Sequence, residues 1–184
     1  MVAAPQRMTL EEFLRLPEEK PPLEYGNGEV TQKVSHRTDH VLLQKYLVAR
    51  IDGAARRRAM AFAELRVTFG GWSPVPDISV FRWERLPRAA DGTWIQDVVE
   101  PPDLVVEIVS PGQRVSRLVR RCLWYVANGV RAALLVDPDD RSVMLFRPGA
   151  VPVPISGEEQ IDLGDLLPGL ELTADQLFAA LRAD

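Results

Sequence analysis

Asp103-Leu104-Val105-Val106-Glu107-Ile108-Val109-Ser110-Pro111 is an apolar run with one carboxylate set inside it, and the fold is read from there. The density of Val and Ile predicts a central strand over 104–109. A charge within such a strand is costly, and the cost is avoided by neutralising it, pairing it or giving it a metal. Asp77 stands in a comparable run, Val75-Pro76-Asp77-Ile78-Ser79-Val80-Phe81. Two carboxylates so placed fit shared divalent-cation binding better than mutual burial, and they are the oxygen ligands that Mg²⁺ prefers.

Downstream of the first run, Ser110 reads as a helix cap with Pro111 at the first helical position and Gln113 at the third, against which stands Gly112. The pattern predicts a helix to about Asn128-Gly129. Strands at 132–136 and 142–146 flank the turn Asp137-Pro138-Asp139-Asp140, and Thr173-Ala174-Asp175-Gln176 caps a terminal helix to about Leu181. Upstream, 61–69 and 75–83 read as an antiparallel pair joined through Gly70-Gly71. The segment 84–102, rich in Pro and turn residues, reads as a long loop with a short strand at 94–99. Apolar positions Val41, Leu42, Tyr46, Leu47 and Ile51 recur at helical spacing from about Asp39, with Asp52-Gly53 as the stop. Leu23 to Lys33 reads as a hairpin about Gly26-Asn27-Gly28, and Thr9-Leu10-Glu11-Glu12 is a capping box that opens a short helix ending before Pro17. These elements make an α/β fold with a mixed sheet flanked by helices.

The chain has 184 residues, 46% hydrophobic and 26% charged, with no repeat, low-complexity segment or evident linker; one domain over 1–184 is expected. No stretch approaches the roughly 18 apolar residues of a membrane span, and Met1-Val2-Ala3-Ala4-Pro5-Gln6-Arg7 lacks a signal-peptide core, so a soluble, cytoplasmic protein without membrane partners is expected. The single Cys122 excludes an internal disulfide and a Cys-rich zinc site, and reads as packing on a helix face. A net charge of −4 argues against general nucleic-acid affinity. Positive charge is local: Arg56-Arg57-Arg58, then Arg114, Arg117, Arg120 and Arg121.

Pro76-Asp77 followed by Glu107 at the end of an apolar strand resembles the PD-(D/E)XK nuclease superfamily, with its restriction-endonuclease-like mixed β-sheet flanked by α-helices. An ordered set of motifs narrows the resemblance to a restriction-endonuclease-like family, long catalogued as a domain of unknown function and abundant in cyanobacteria. The set comprises Met8 to Leu14, Glu24-Tyr25 with Asn27-Gly28, His40, Glu64-Leu65-Arg66, Phe69-Gly70-Gly71, Pro76 to Phe81, Val106 to Pro111, Gly129-Val130, Leu135 to Pro138 and Leu167 to Leu172. Together these motifs cover nearly the whole chain.

The resemblance implies a Mg²⁺-dependent endonuclease acting on DNA, with Mn²⁺ as a substitute ion and a homodimer as one allowed assembly. Asp77, Glu107 and the backbone carbonyl of Ile108 would hold the metal, and Glu24 would assist. The chain departs from the motif at its lysine. The second position of Glu-x-Lys is Val109, and the lysine that many family members place four residues before an aromatic on the following helix is Arg121, ahead of Tyr125. Arginine can stabilise charge on a phosphate but cannot accept a proton. Arg121 shares one helical flank with Arg114 and Arg117, and Lys33 is an alternative source of the missing cation. Ordinary structural readings stand beside these: Asp77 as a turn residue, Glu24 paired with an Arg, His40 as a cap or packing residue, His36 without a partner, Arg56-Arg57-Arg58 as a solvated face, and Trp72, Trp83 and Trp124 as core and rim. Loss of the lysine also allows a nuclease fold that only binds nucleic acid or protein, or one that hydrolyses another phosphate substrate. If the two carboxylates merely repel each other without metal, removing Asp77 should leave the metal-free protein no less stable.

Overall fold

The structure, a computed structural model, describes residues 8–33 and 37–183; His36 and residues 1–7 lie outside those segments. The elements in chain order are α1 (Leu10–Leu14), β1 (Leu23–Gly26), β2 (Glu29–Gln32), α2 (Thr38–Ala55), β3 (Ala59–Ala63), β4 (Ile78–Arg82), β5 (Leu104–Ile108), α3 (Val115–Ala127), β6 (Ala132–Asp137), β7 (Ser142–Phe146), β8 (Val153–Ser156) and α4 (Ala174–Ala179). Strands β3 to β8 form one six-stranded sheet in sequential order, and β1 pairs with β2 in a separate hairpin. Of the paired strands named among the described residues, only β5 and β6 run parallel, which requires a crossover, and α3 supplies it.

The apolar run around Glu107 forms β5, buried at every position. Successive side chains of a strand face opposite sides. Leu104, Val106 and Ile108 therefore pack with Leu43, Leu47, Ile51 and Ala55 of α2, while Val105 and Val109 pack with Leu118, Cys122, Tyr125 and Val126 of α3. Glu107 falls on the α3 side. Truncating Leu47, which is 1% exposed in the α2 layer, would cost about 2–5 kcal/mol. Among the described residues, no helix is long and apolar enough to cross a membrane.

Several boundaries differ from the sequence reading. Helix α2 does not stop at Asp52-Gly53 but continues to Ala55, where Arg56 takes a left-handed conformation with φ 42°. A helical Gly costs only about 1 kcal/mol, less than the burial of Ile51 and Ala55 returns. The strands expected at 61–69 and 75–83 do pair, but only as β3 and β4. Glu64, with φ 52°, ends β3, and 64–77 leaves the sheet as an arm. Its tip is Gly70-Gly71, closed by mutual backbone bonds between Phe69 and Trp72 at 2.9 and 3.0 Å. Gly70 has φ 55°, and a Cβ there would lie 2.5 Å from Asn128 Oδ1 and 3.0 Å from the Trp124 ring, so the arm docks on the end of α3 only with Gly at its tip.

Helix α3 begins at Val115, with Arg114 rather than Ser110 at its start. Gly112 at φ 85° interrupts the predicted helix, and Ser110 N–H instead donates to the Gln113 side chain at 2.9 Å. The strand expected at 94–99 is reduced to isolated bridges, including Val67 to Val98. Terminal α4 ends at Ala179 rather than Leu181. Strand β8 lies outside the elements read from the sequence; its Pro154 removes a backbone donor and fits the edge position that β8 occupies.

Candidate active site

Ile78 stands opposite Val106 in the β4–β5 register, so the residue entering β4 and the residue near the end of β5 meet at one end of the sheet. Asp77 Oδ2 accepts the N–H of Ile108 at 2.7 Å. On its other oxygen, Lys33 Nζ lies 2.7 Å from Oδ1 and His40 Nε2 lies 3.3 Å away. Lys33 also donates to the carbonyl of Val75 at 2.8 Å, and Gln44 of α2 donates to the Asp77 carbonyl at 2.8 Å. His40 is fixed from its other ring nitrogen, 3.1 Å from Ser110 Oγ. Burial works against an ionised Asp77, but the His40 hydrogen bond and the Lys33 charge outweigh it and hold the carboxyl well below the usual carboxylate range.

This arrangement changes the expectation about apo stability. Asp77 is not merely a repelled neighbour of Glu107; it is paired with Lys33, His40 and a backbone donor, so its removal should destabilise the metal-free protein. The contacts come from the end of the β1–β2 hairpin, from α2 and from β5, segments that are remote in sequence.

Glu107 is supported from α3. Tyr125 Oη donates to Glu107 Oε1 at 2.7 Å, and Arg121 Nε lies 3.0 Å from the same oxygen and donates to Tyr125 Oη at 2.8 Å. The guanidinium ends of Arg121 then fork onto Glu24, with Nη1 2.9 Å from Oε2 and Nη2 bonded to Oε1. Glu24 Oε1 also accepts the N–H of Val75 at 2.8 Å. Such a fork fixes direction as well as charge, which a lysine cannot do.

Burial pushes the Glu107 carboxyl up to about 7, the charges of Asp77 and Glu24 adding to the rise and Arg121 and Lys33 opposing it. Burial also acts to raise Glu24, but the charge and hydrogen bonds of Arg121, with the Val75 N–H, bring it below the ordinary value. Glu24, Asp77 and Glu107 bring three negative charges when ionised, and Lys33 and Arg121 return two positive ones. One unit of negative charge is left for a proton on Glu107 or for a cation.

These groups line an open cleft of 460 Å³, edged by Gln113, Arg114 and Arg117. A Mg²⁺ ion is commonly held by one or two carboxylates, keeping waters or substrate oxygens elsewhere. Asp77, Glu107 and the Ile108 carbonyl suit that mode chemically. Among the described residues there is no cluster of three or more His, Cys, Asp or Glu side chains placed to hold a metal ion. Cys122 is fully buried in the α3 layer, and burial pushes its thiol well above the ordinary range, in keeping with a packing role.

The residues singled out from the sequence thus fall into two groups. Glu24, Asp77, Glu107, Ile108, Arg121, Lys33 and His40 converge on the cleft. Arg56 and Arg58 do not; they lie at the opposite end of α2, where the Arg58 carbonyl accepts the N–H of Trp83 at 2.7 Å. Trp72 and Trp124 stack on each other at 4.2 Å, a wall beside the site. Tyr125, which the sequence marks only as the aromatic four residues after Arg121, is the further site residue that the structure adds, through its bond to Glu107. Its i+4 spacing from Arg121 was the one available signal.

Comparison with known proteins agrees with the geometry. The model of the Uma2 family, described as "Putative restriction endonuclease", matches residues 10–175. A crystal structure described as a "putative nuclease belonging to DUF820" from Anabaena variabilis superposes with a TM-score of 0.92 and 35% sequence identity, over 95% of this chain and 99% of that one. No curated protein matches the chain. With the motif order, the mixed sheet and the match over 10–175 in agreement, the chain belongs to the Uma2 family of restriction-endonuclease-like proteins.

Proposed function

We propose that this chain is a Mg²⁺-dependent endonuclease that hydrolyses DNA phosphodiester bonds, acting as one domain over 1–184. The observation that carries the reading is the meeting of Asp77, Glu107 and the Lys33 ammonium in one open cleft bordered by Arg114 and Arg117. Divalent-metal use is what the resemblance to restriction-endonuclease-like nucleases implies, and the donor set of Asp77, Glu107 and the Ile108 carbonyl suits Mg²⁺, with Mn²⁺ as a substitute. When bound, such an ion polarises a phosphoryl oxygen and lowers the pKa of water.

The chain's own residues divide the remaining work. Arg121 holds Glu24 and Glu107 in fixed orientation and offsets their charge. Engaged by both carboxylates and by Tyr125, it acts as a positioning residue rather than the phosphate-facing cation first expected of it. Lys33 fits that second role: a compact ammonium at the cleft beside Asp77, placed to offset charge developing on a phosphate. Tyr125 and the Ile108 N–H keep one oxygen of each carboxylate directed.

The test is cleavage of single- and double-stranded DNA in Mg²⁺, in Mn²⁺ and in EDTA. Metal-dependent cleavage by the wild type, lost in Asp77→Asn and Glu107→Gln, is the expected result. Wild type inactive on both substrates in both metals would overturn it. A second reading, a nuclease fold that binds nucleic acid without cutting it, is favoured by one observation: the residue at the family's lysine position is consumed in ion pairs with Glu24 and Glu107.

A further inference from the structure

A second groove of 400 Å³ continues from the acid cleft. It is lined by Tyr25, Gly26 and Asn27 of the hairpin on one side and by Arg117 and Arg120 of α3 on the other, with Trp72 and Pro74 between them. Glu24, Thr31, Arg117 and Arg121 line both cavities, so the two form one trench between the β1–β2 hairpin and α3. Arg114 borders the first cavity, Arg117 both and Arg120 the second. Three residues of helix advance about 4.5 Å, so this succession sets arginines at short intervals along the trench, with Arg121 of the carboxylate fork one residue beyond Arg120.

We propose that this trench is the binding site for one unpaired strand of a polynucleotide, its phosphates taken in turn by Arg114, Arg117 and Arg120. Charge complementarity and continuity with the acid cleft carry the inference. The carboxylate of Glu24 is already neutralised by the Arg121 fork, which leaves Arg117 and Arg120 against the exposed Glu29 in the groove. The groove has the volume of a site for a small ligand of nucleotide scale, far short of a duplex turn.

The groove offers phosphate contacts rather than base stacking. Trp124 is stacked on Trp72 at an interplanar angle of 7°, and Gly26 packs so closely that a Cβ there would lie 3.1 Å from the indole. With its ring already engaged, Trp72 forms a wall. Recognition by phosphate contact alone is independent of sequence and dependent on salt. Calling the strand a substrate rests on the nuclease reading; the binding itself does not.

The test separates the two. Binding of fluorescent single-stranded oligonucleotides, with several sequences, and of the matching duplex is measured in EDTA across a salt series for wild type, Arg120→Gln and Arg56→Gln. Hydrolysis of bis(p-nitrophenyl) phosphate, too small to span the trench, is measured in Mg²⁺. Arg120→Gln should bind single strands roughly threefold to tenfold more weakly, whatever the sequence, and lower the log–log salt slope by about 0.7. Arg56→Gln should bind oligonucleotides and hydrolyse the small ester as wild type does. Unchanged affinity and slope in Arg120→Gln, or tighter binding of duplex than of single strand, would overturn the trench. Absence of ester and DNA hydrolysis alongside weakened binding in Arg120→Gln would instead overturn the enzymatic reading and leave the trench standing. Because Arg120 is exposed, its variant should keep the wild-type urea midpoint, which the same samples check.

Discussion

Replacing Glu107 with Gln should remove a specific pH dependence from the stability of the metal-free protein. The folded-state pKa of Glu107 is about 7 against an ordinary value of 4.5. The folded protein therefore binds a proton on this group more tightly than the unfolded chain does. Its favourable contribution is complete below about pH 4.5 and is lost as pH rises through about 7. A difference of about 2.5 units at about 1.4 kcal/mol each makes the full loss about 3 kcal/mol, most of it between roughly pH 5 and 8.

The amide of the Glu107→Gln variant would mimic the protonated carboxyl, keeping an oxygen for Tyr125 and Arg121 but carrying no titration. Urea denaturation in EDTA at half-unit pH steps would give ΔG for both proteins, and the quantity to plot is variant minus wild type, from which other titrating groups largely cancel. That difference should climb by about 2–3 kcal/mol from pH 5 to 8, in favour of the variant. A flat difference would refute the reasoning, since the carboxyl would then ionise at its ordinary pH despite burial beside Asp77 and Glu24. Saturating Mg²⁺ should reduce the difference by stabilising ionised Glu107 in the wild type.

Asp77→Ala should have the opposite sign, costing the metal-free protein about 3 kcal/mol because Lys33 and the Ile108 N–H lose their acceptor. It should also abolish the Mg²⁺-induced rise in melting temperature; an equal rise in both proteins would refute its role as a ligand. Because Asp77 is held below the usual carboxylate range, its contribution is present above that range and is lost as pH falls through the folded-state value, a loss that Asp77→Asn should lack in acid titration. Arg121→Ala should destabilise by about 3–5 kcal/mol through the stranded charges of Glu24 and Glu107, and Arg121→Lys by less, with a point charge in place of the fork. A loss under about 1 kcal/mol for Arg121→Ala, read by urea denaturation, would mean that the network is solvated.

What the sequence determined by itself is the layered α/β plan and the identity of two unusual carboxylates. The density of Val and Ile along 104–109 marked a strand, and the two-residue period of any strand, which is local, is what sets Val105, Glu107 and Val109 on one face and Val106 and Ile108 on the other. The helical spacing of α2 and α3 and the hairpin turn at Asn27-Gly28 were legible for the same reason. Boundaries failed where backbone conformation was decided by distant packing: Gly70 must be Gly because of Asn128 and Trp124, and Gly53 stays helical because Ile51 and Ala55 are buried in the core.

The site's working contacts belong to tertiary structure alone. Nothing local ties Lys33 to Asp77 or Arg121 to Glu24, pairs separated by 44 and 97 positions. Register brings Ile78 opposite Val106 and so sets Asp77 beside Ile108. The crossover then lays α3 over that end of the sheet, and only there does the arginine at the lysine position meet two carboxylates at once. Sequence pattern fixes which face a residue takes; what stands opposite depends on how elements far apart in the chain are packed, because side-chain pairing energy is set by distance in space.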